Sequence, residues 1–171
     1  MSRRILSART LSAVAMIGFV VMSASGVANA APPQHEKNIE KNATETFTDV
    51  VPCHPELGGY DITITYNEQE HSTFTDSSGQ FTFTQTGTFS AVPSAGNPST
   101  ETFTGKFTIW GGGTFNSKQS EESFTFNVQG TGSQGTTFRE HDNAHVVTDG
   151  PGDPEDPATP VKVAFEKTTC H

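Results

Sequence analysis

The sequence predicts an all-β fold: an antiparallel meander of seven to nine strands, read as an up-and-down, calycin-like barrel, with a sandwich as the alternative. Three observations carry this. Apolar residues alternate with period two through most of the chain, clusters of Gly, Pro, Asn, Asp and Ser separate the alternating runs, and no stretch after the first 30 residues has helical periodicity.

The chain opens with the three parts of a secretory leader. Arg3, Arg4 and Arg9 give a basic start, Leu11 to Met22 is apolar or small throughout, and Ala28-Asn29-Ala30 is a small-x-small cleavage pattern. Residues 1–30 are therefore expected to be a signal peptide, with export leaving a mature chain from Ala31. The apolar run is shorter than the ~20 residues a spanning helix needs, so no membrane anchor is expected, and the protein is expected to be secreted and extracellular. The Ser2-Arg3-Arg4 opening resembles a twin-arginine signal only in part, which leaves the export route open.

Residues 31–45 are polar and charged with no apolar face, and are expected to form a disordered lead-in to a single β domain over 46–171. Phe47 to Val51 reads as a first strand. Pro55 to Gly59 turns the chain into Tyr60-Asp61-Ile62-Thr63-Ile64-Thr65-Tyr66, whose apolar residues share one parity. Asp76 to Gly79 precedes Phe81, Phe83 and Phe89; Pro93 to Pro98 precedes Phe103, Phe107 and Ile109; Phe124, Phe126 and Val128 follow. Threonines occupy the opposite parity, as suits a β-branched residue on a solvated strand face. Gly111-Gly112-Gly113, directly after Trp110, reads as a bulge or corner. The last strands, Thr136 to Val147 and Val161 to Thr168, flank an acidic, proline-rich connector at 149–157. That connector lacks the spacing and central Gly of an EF-hand.

Loss of the three leader arginines moves the formal net charge from −9 to −12. An acidic surface repels phosphate backbones and anionic lipid, so no nucleic-acid or membrane partner is expected. Oligomeric state is not legible. Cys53 and Cys170 are the only cysteines, and in an exported chain one disulfide between them is the default; two thiols with His54 or His171 around a metal are the alternative. The disulfide constrains topology. In an eight-strand meander the ends of the first and last strands lie at opposite ends of the barrel, so either the strand number is odd or Cys53 to Tyr60 runs back along the wall. The second is the preferred expectation.

No catalytic motif is present: no Gly-x-Ser-x-Gly elbow, no HExxH, no free reactive thiol. No cofactor, catalytic residue or metal site is assigned. The densest ionisable run is Arg139 to His145. His141 and His145 would share a strand face about 13 Å apart, too far to chelate one ion. If Phe138 and Val146 point inward, so do Glu140 and Asp142; a bulge would turn His141 and His145 inward instead. A polar cluster within a Phe-lined barrel is how a ligand cavity would look, so Glu140, His141, Asp142 and His145, with Trp110 as an aromatic wall, are the candidate ligand-binding residues.

The stretch from Gly105 through Val147, with Gly-Lys-Phe-Thr-Ile-Trp-Gly, Phe-Thr-Phe-Asn-Val-Gln-Gly-Thr-Gly-Ser and Glu-His-Asp-Asn-Ala-His-Val, resembles a group of uncharacterised secreted actinobacterial β-rich proteins. It spans about a third of the mature chain. The group carries no assigned activity, so the resemblance implies an exported bacterial β protein and no site.

With 12 phenylalanines after the leader, the expected function is binding of a small apolar or aromatic molecule inside the barrel. A structural or surface-interaction protein with a solid core and no ligand is the alternative. An enzyme ranks third.

Overall fold

The computed structural model describes residues 32–149 and 161–171. The expected signal peptide and most of the acidic connector lie outside the described residues. Seven strands form one sheet in chain order: β1 (Gln34–Val50), β2 (Gly59–Phe74), β3 (Ser78–Pro93), β4 (Phe103–Asn116), β5 (Gln119–Gly132), β6 (Thr137–Asp149) and β7 (Val161–Cys170). Every neighbouring pair is antiparallel. The ladder order ends at β1 on one side and β7 on the other, so the sheet is not closed.

Alternation decides the two faces. Tyr60, Ile62, Ile64 and Tyr66 of β2 meet Phe89 and Ala91 of β3, Phe103, Phe107 and Ile109 of β4, Phe126 and Val128 of β5, and Phe138 of β6 in one buried cluster. Phe81, Phe83 and Phe124, expected to share that core, lie on the same face but are only half-buried. The threonines fall on the outer face, where Thr44 and Thr46 stand across from Thr65 and Thr63.

Phenylalanines of the core face are matched in register with glycines: Phe89 opposite Gly105, Phe107 opposite Gly87, Phe138 opposite Gly130. Each ring lies across the neighbouring strand where a side chain is missing, which shields the glycine backbone. The same logic explains Gly111 to Gly113. The sequence reading expects a bulge there, but β4 runs through in unbroken register with both neighbours. The glycines instead admit Phe124, the backbone of Phe81 and the Phe81 ring at close range.

Two further expectations are corrected. The lead-in expected over residues 31–45 is strand from Gln34 onward. An apolar face is not needed where a neighbouring strand offers a backbone ladder: Glu36 pairs with Ser72 and Asn38 with Glu70, and a bulge at Asn42, with φ 55°, restores inward facing from Ala43. The disulfide paradox resolves through the strand number, not through a back-running segment. With seven strands β1 and β7 run the same way, and Cys53 and Cys170 meet at one end with Cα atoms 5.6 Å apart. The connection from β1 to β2, Val51 to Gly58, makes a tight turn and one 3-10 turn (Pro55–Leu57) that caps the core. Val51 is buried and the His54 ring stands edge-on to Phe138, centroids 6.4 Å apart. The disulfide suits an oxidising compartment.

Candidate ligand-binding face

Strand β6 keeps one parity from Phe138 to Thr148, so the five candidate residues divide between two faces. Glu140 and Asp142 project to the core face with Phe138, while His141 and His145 project to the outer face. Trp110 follows buried Ile109 and is also on the outer face, 44% exposed. A single internal cavity lined by all five is therefore not what the fold builds.

The core face is acidic around its aromatic centre. Glu140 packs against the disulfide, its Oε2 3.7 Å from Cys53 Sγ and 3.9 Å from Cys170 Sγ. Burial and the nearby Asp142 push its carboxyl above the ordinary value, against a Cys53 backbone hydrogen bond that acts the other way. On β2, burial raises Glu68 and Glu70, with Glu40 and Glu36 across the ladder adding to it. Tyr66 is raised by burial and by its hydroxyl donating to Glu45 Oε1 at 2.9 Å. Gln85, 2% exposed, donates to Glu68 Oε2 at 3.1 Å and leaves its Oε1 without a hydrogen-bond partner.

The outer face of β4 to β7 is built differently. Register sets its side chains in rows: Lys106, Gln129, Arg139 and His171; then Thr108, Asn127, His141 and Thr169; then Trp110, Thr125, Asn143 and Lys167. Hydrogen bonds link the middle of this grid. Thr125 Oγ1 donates to Asn143 Oδ1 (2.8 Å), Asn143 Nδ2 meets His141 Nε2 (2.7 Å), and His141 Nδ1 meets Asn127 Oδ1 (2.6 Å). With the amide donating to Nε2 and Nδ1–H donating to Asn127, every contact is satisfied by a neutral imidazole. The Asn127 amide nitrogen is left without a partner among the described residues. Arg139 Nη2 donates to Gln129 Oε1 at 3.2 Å, and a shallow groove runs between Lys106, Asn127, Gln129, Arg139, His141 and Thr169.

His145 lies one row beyond, with Nε2 3.8 Å from Glu121 Oε1. It stands four residues from His141 on the same strand face, about 13 Å away in register. Asn127, Asn143, Lys106 and Gln129 were not legible as site residues, because on an alternating strand any outward polar residue has the same pattern.

Chemically the face offers a flat aromatic surface, oriented amide, imidazole and hydroxyl groups, and three cationic side chains, Lys106, Arg139 and Lys167, of which Arg139 is hydrogen-bonded. No protein-family model, no curated protein and no solved structure matches this chain.

Proposed function

We propose that this is a secreted, extracellular binding protein that holds a small ring-bearing ligand on the outer face of β4 to β7, with Trp110 as the stacking surface. The observation that carries it is an exposed tryptophan in register with a preformed hydrogen-bonded array. Indole combines large apolar area with a polar N–H, the combination that favours aromatic residues in binding sites. Holding Asn143 and His141 in place before binding lowers the ordering cost a ligand must meet. The Phe–Gly interlock of the core speaks for a ligand outside the core rather than within it.

A screen of single-ring aromatic and pyranose fragments by two-dimensional amide NMR tests this. Shifts are expected at the Trp110 indole and at Thr125, Asn127, His141 and Asn143, and are expected to vanish in Trp110→Ala. Shifts confined to the core phenylalanines would move the site inside. A blank screen would favour the second reading, a structural protein, which the solid packing around Phe138 also suits.

A further inference from the structure

We infer that the ligand of this face is an acidic oligosaccharide, with a sugar ring on Trp110 and its anionic groups on Lys106 and Arg139. This deepens the binding reading above and rests on it.

Charge is sorted between the two faces of the sheet. Glu36, Glu40, Glu68, Glu70, Glu140 and Asp142 all project to the core face. The rows from Lys106 to Lys167 on the outer face of β4 to β7 hold no aspartate or glutamate at all, and the first acid beyond them is Glu121 beside His145. In a chain with 19 acidic and 10 basic residues, an acid-free zone holding Lys106 and Arg139 in one row is a local positive field, complementary to an anion. Arg139 presents a planar fork suited to carboxylate or sulfate, steadied by Gln129, and exposed Lys106 adds a point charge.

The neutral part of the grid specifies the rest of the ligand. Thr108, Thr125, Asn127, His141 and Asn143 supply donors and acceptors together, which matches hydroxyl groups that both give and take hydrogen bonds. Trp110 supplies the apolar plane on which the C–H face of a pyranose lies. Lys106 and Trp110 are four residues apart on one strand, about 13 Å, longer than a single ring, so a ligand reaching both is a chain of sugars. The acidic remainder of the protein repels long polyanions, which limits the site to a short stretch of such a chain.

The experiment is a titration of the protein's single tryptophan by fluorescence with tri-galacturonate, with a sulfated heparin tetrasaccharide, and with the neutral trisaccharide maltotriose. The expected result is half-saturation by at least one acidic probe at about tenfold lower concentration than maltotriose. That advantage should shrink in high salt and be lost in Lys106→Gln/Arg139→Gln, whose exposed positions leave the fold intact by thermal melting. The two acidic probes distinguish carboxylate from sulfate as the preferred anion. Equal affinity for maltotriose and both acidic probes overturns the acidic-ligand inference and leaves the binding face standing. No response of Trp110 to any of the three overturns it as well; a blank fragment screen in addition removes the binding face itself.

Discussion

The ring of Phe138 on β6 reaches over Gly130 of β5, its direct partner in the ladder, and a Cβ built on Gly130 would fall 2.5 Å from Phe138 Cε1 and 2.8 Å from Phe89 Cζ. The two rings meet above the glycine with centroids 6.0 Å apart, and Phe103 packs on Phe138 at the same distance. Gly130→Ala must therefore displace two buried rings at once. It should destabilise by about 1–3 kcal/mol, the usual cost of overpacking, and Phe138→Ala by about 3–5 kcal/mol. Thr84→Ala, on the outer face, should stay within about 0.5 kcal/mol. Chemical denaturation of the three variants checks the facing, and equal losses would contradict it.

The Cys53–Cys170 bond closes a loop with a sequence separation of 117. In the chain-entropy model a loop of that size stabilises by about 4–5 kcal/mol, and here β1 and β7 have no ladder between them to make good the loss. Cys53→Ser/Cys170→Ser should lower the denaturant midpoint by a corresponding amount. Intact mass without prior reduction should show no alkylatable thiol in the wild-type protein.

Acidification should first strengthen the fold. Glu140, Glu68 and Glu70 are all raised by burial, so each holds its proton more firmly folded than unfolded. The folded state takes up the extra protons as pH falls through the raised values, and the gain is complete once pH reaches the ordinary carboxylate range near ~4.3. Glu56, lowered by its hydrogen bond to His54, acts in the opposite sense, but in open solvent. The melting temperature should rise by a few degrees from pH 7 to about pH 5. Glu140→Gln should raise it at pH 7 and flatten the profile; a fall in both would show that the Glu140 charge is stabilising.

Glu101 carries a clamp that alternation gives no hint of. It is 6% exposed; Oε1 accepts from the backbone N–H groups of Gln134 (3.1 Å) and Thr136 (3.3 Å), and Oε2 from Thr136 Oγ1 (2.9 Å). One carboxylate thus fixes the β5–β6 turn to the chain entering β4. Glu101→Ala removes three hydrogen bonds to a charged acceptor from exposed Gln134 and half-buried Thr136 and should cost about 1.5–3 kcal/mol, read from thermal melts, with amide exchange rising first at residues 133–136.

The strands were legible wherever hydrophobic alternation was the signal: Ile62 and Ile64, Phe103 and Phe107, and Phe126 and Val128 all face the core as their parity requires. The first half of β1 was not, because its inward positions are Glu36, Asn38 and Glu40, and a strand held only by its neighbour's backbone leaves no hydrophobic trace. An odd strand number and a back-running segment both satisfy the cysteine spacing. Only the ladder distinguishes them, since a reach of eight residues fits either. For the candidate site, the inward parity of Glu140 and Asp142 could be read from Phe138 and Val146, and the same rule puts Trp110 outward beside Ile109. What could not be read is which outward residues stand beside one another, because that depends on register across four strands.

The placement of the disulfide also determines how the molecule carries tension. Residues 53 to 170 form a covalently closed circuit, and β1 lies just outside it. A pull between the N-terminal side and His171 runs along β1, through the sulfur–sulfur bond and out at Cys170, bypassing the five ladders from β2 to β7. β1 is already extended between Gln34 and Val50 along that line, so its ladder to β2 is bypassed too and the covalent path yields little slack. A molecule held by its ends would keep nearly its full length, with the face bearing Trp110, Lys106 and Arg139 outside the loaded path.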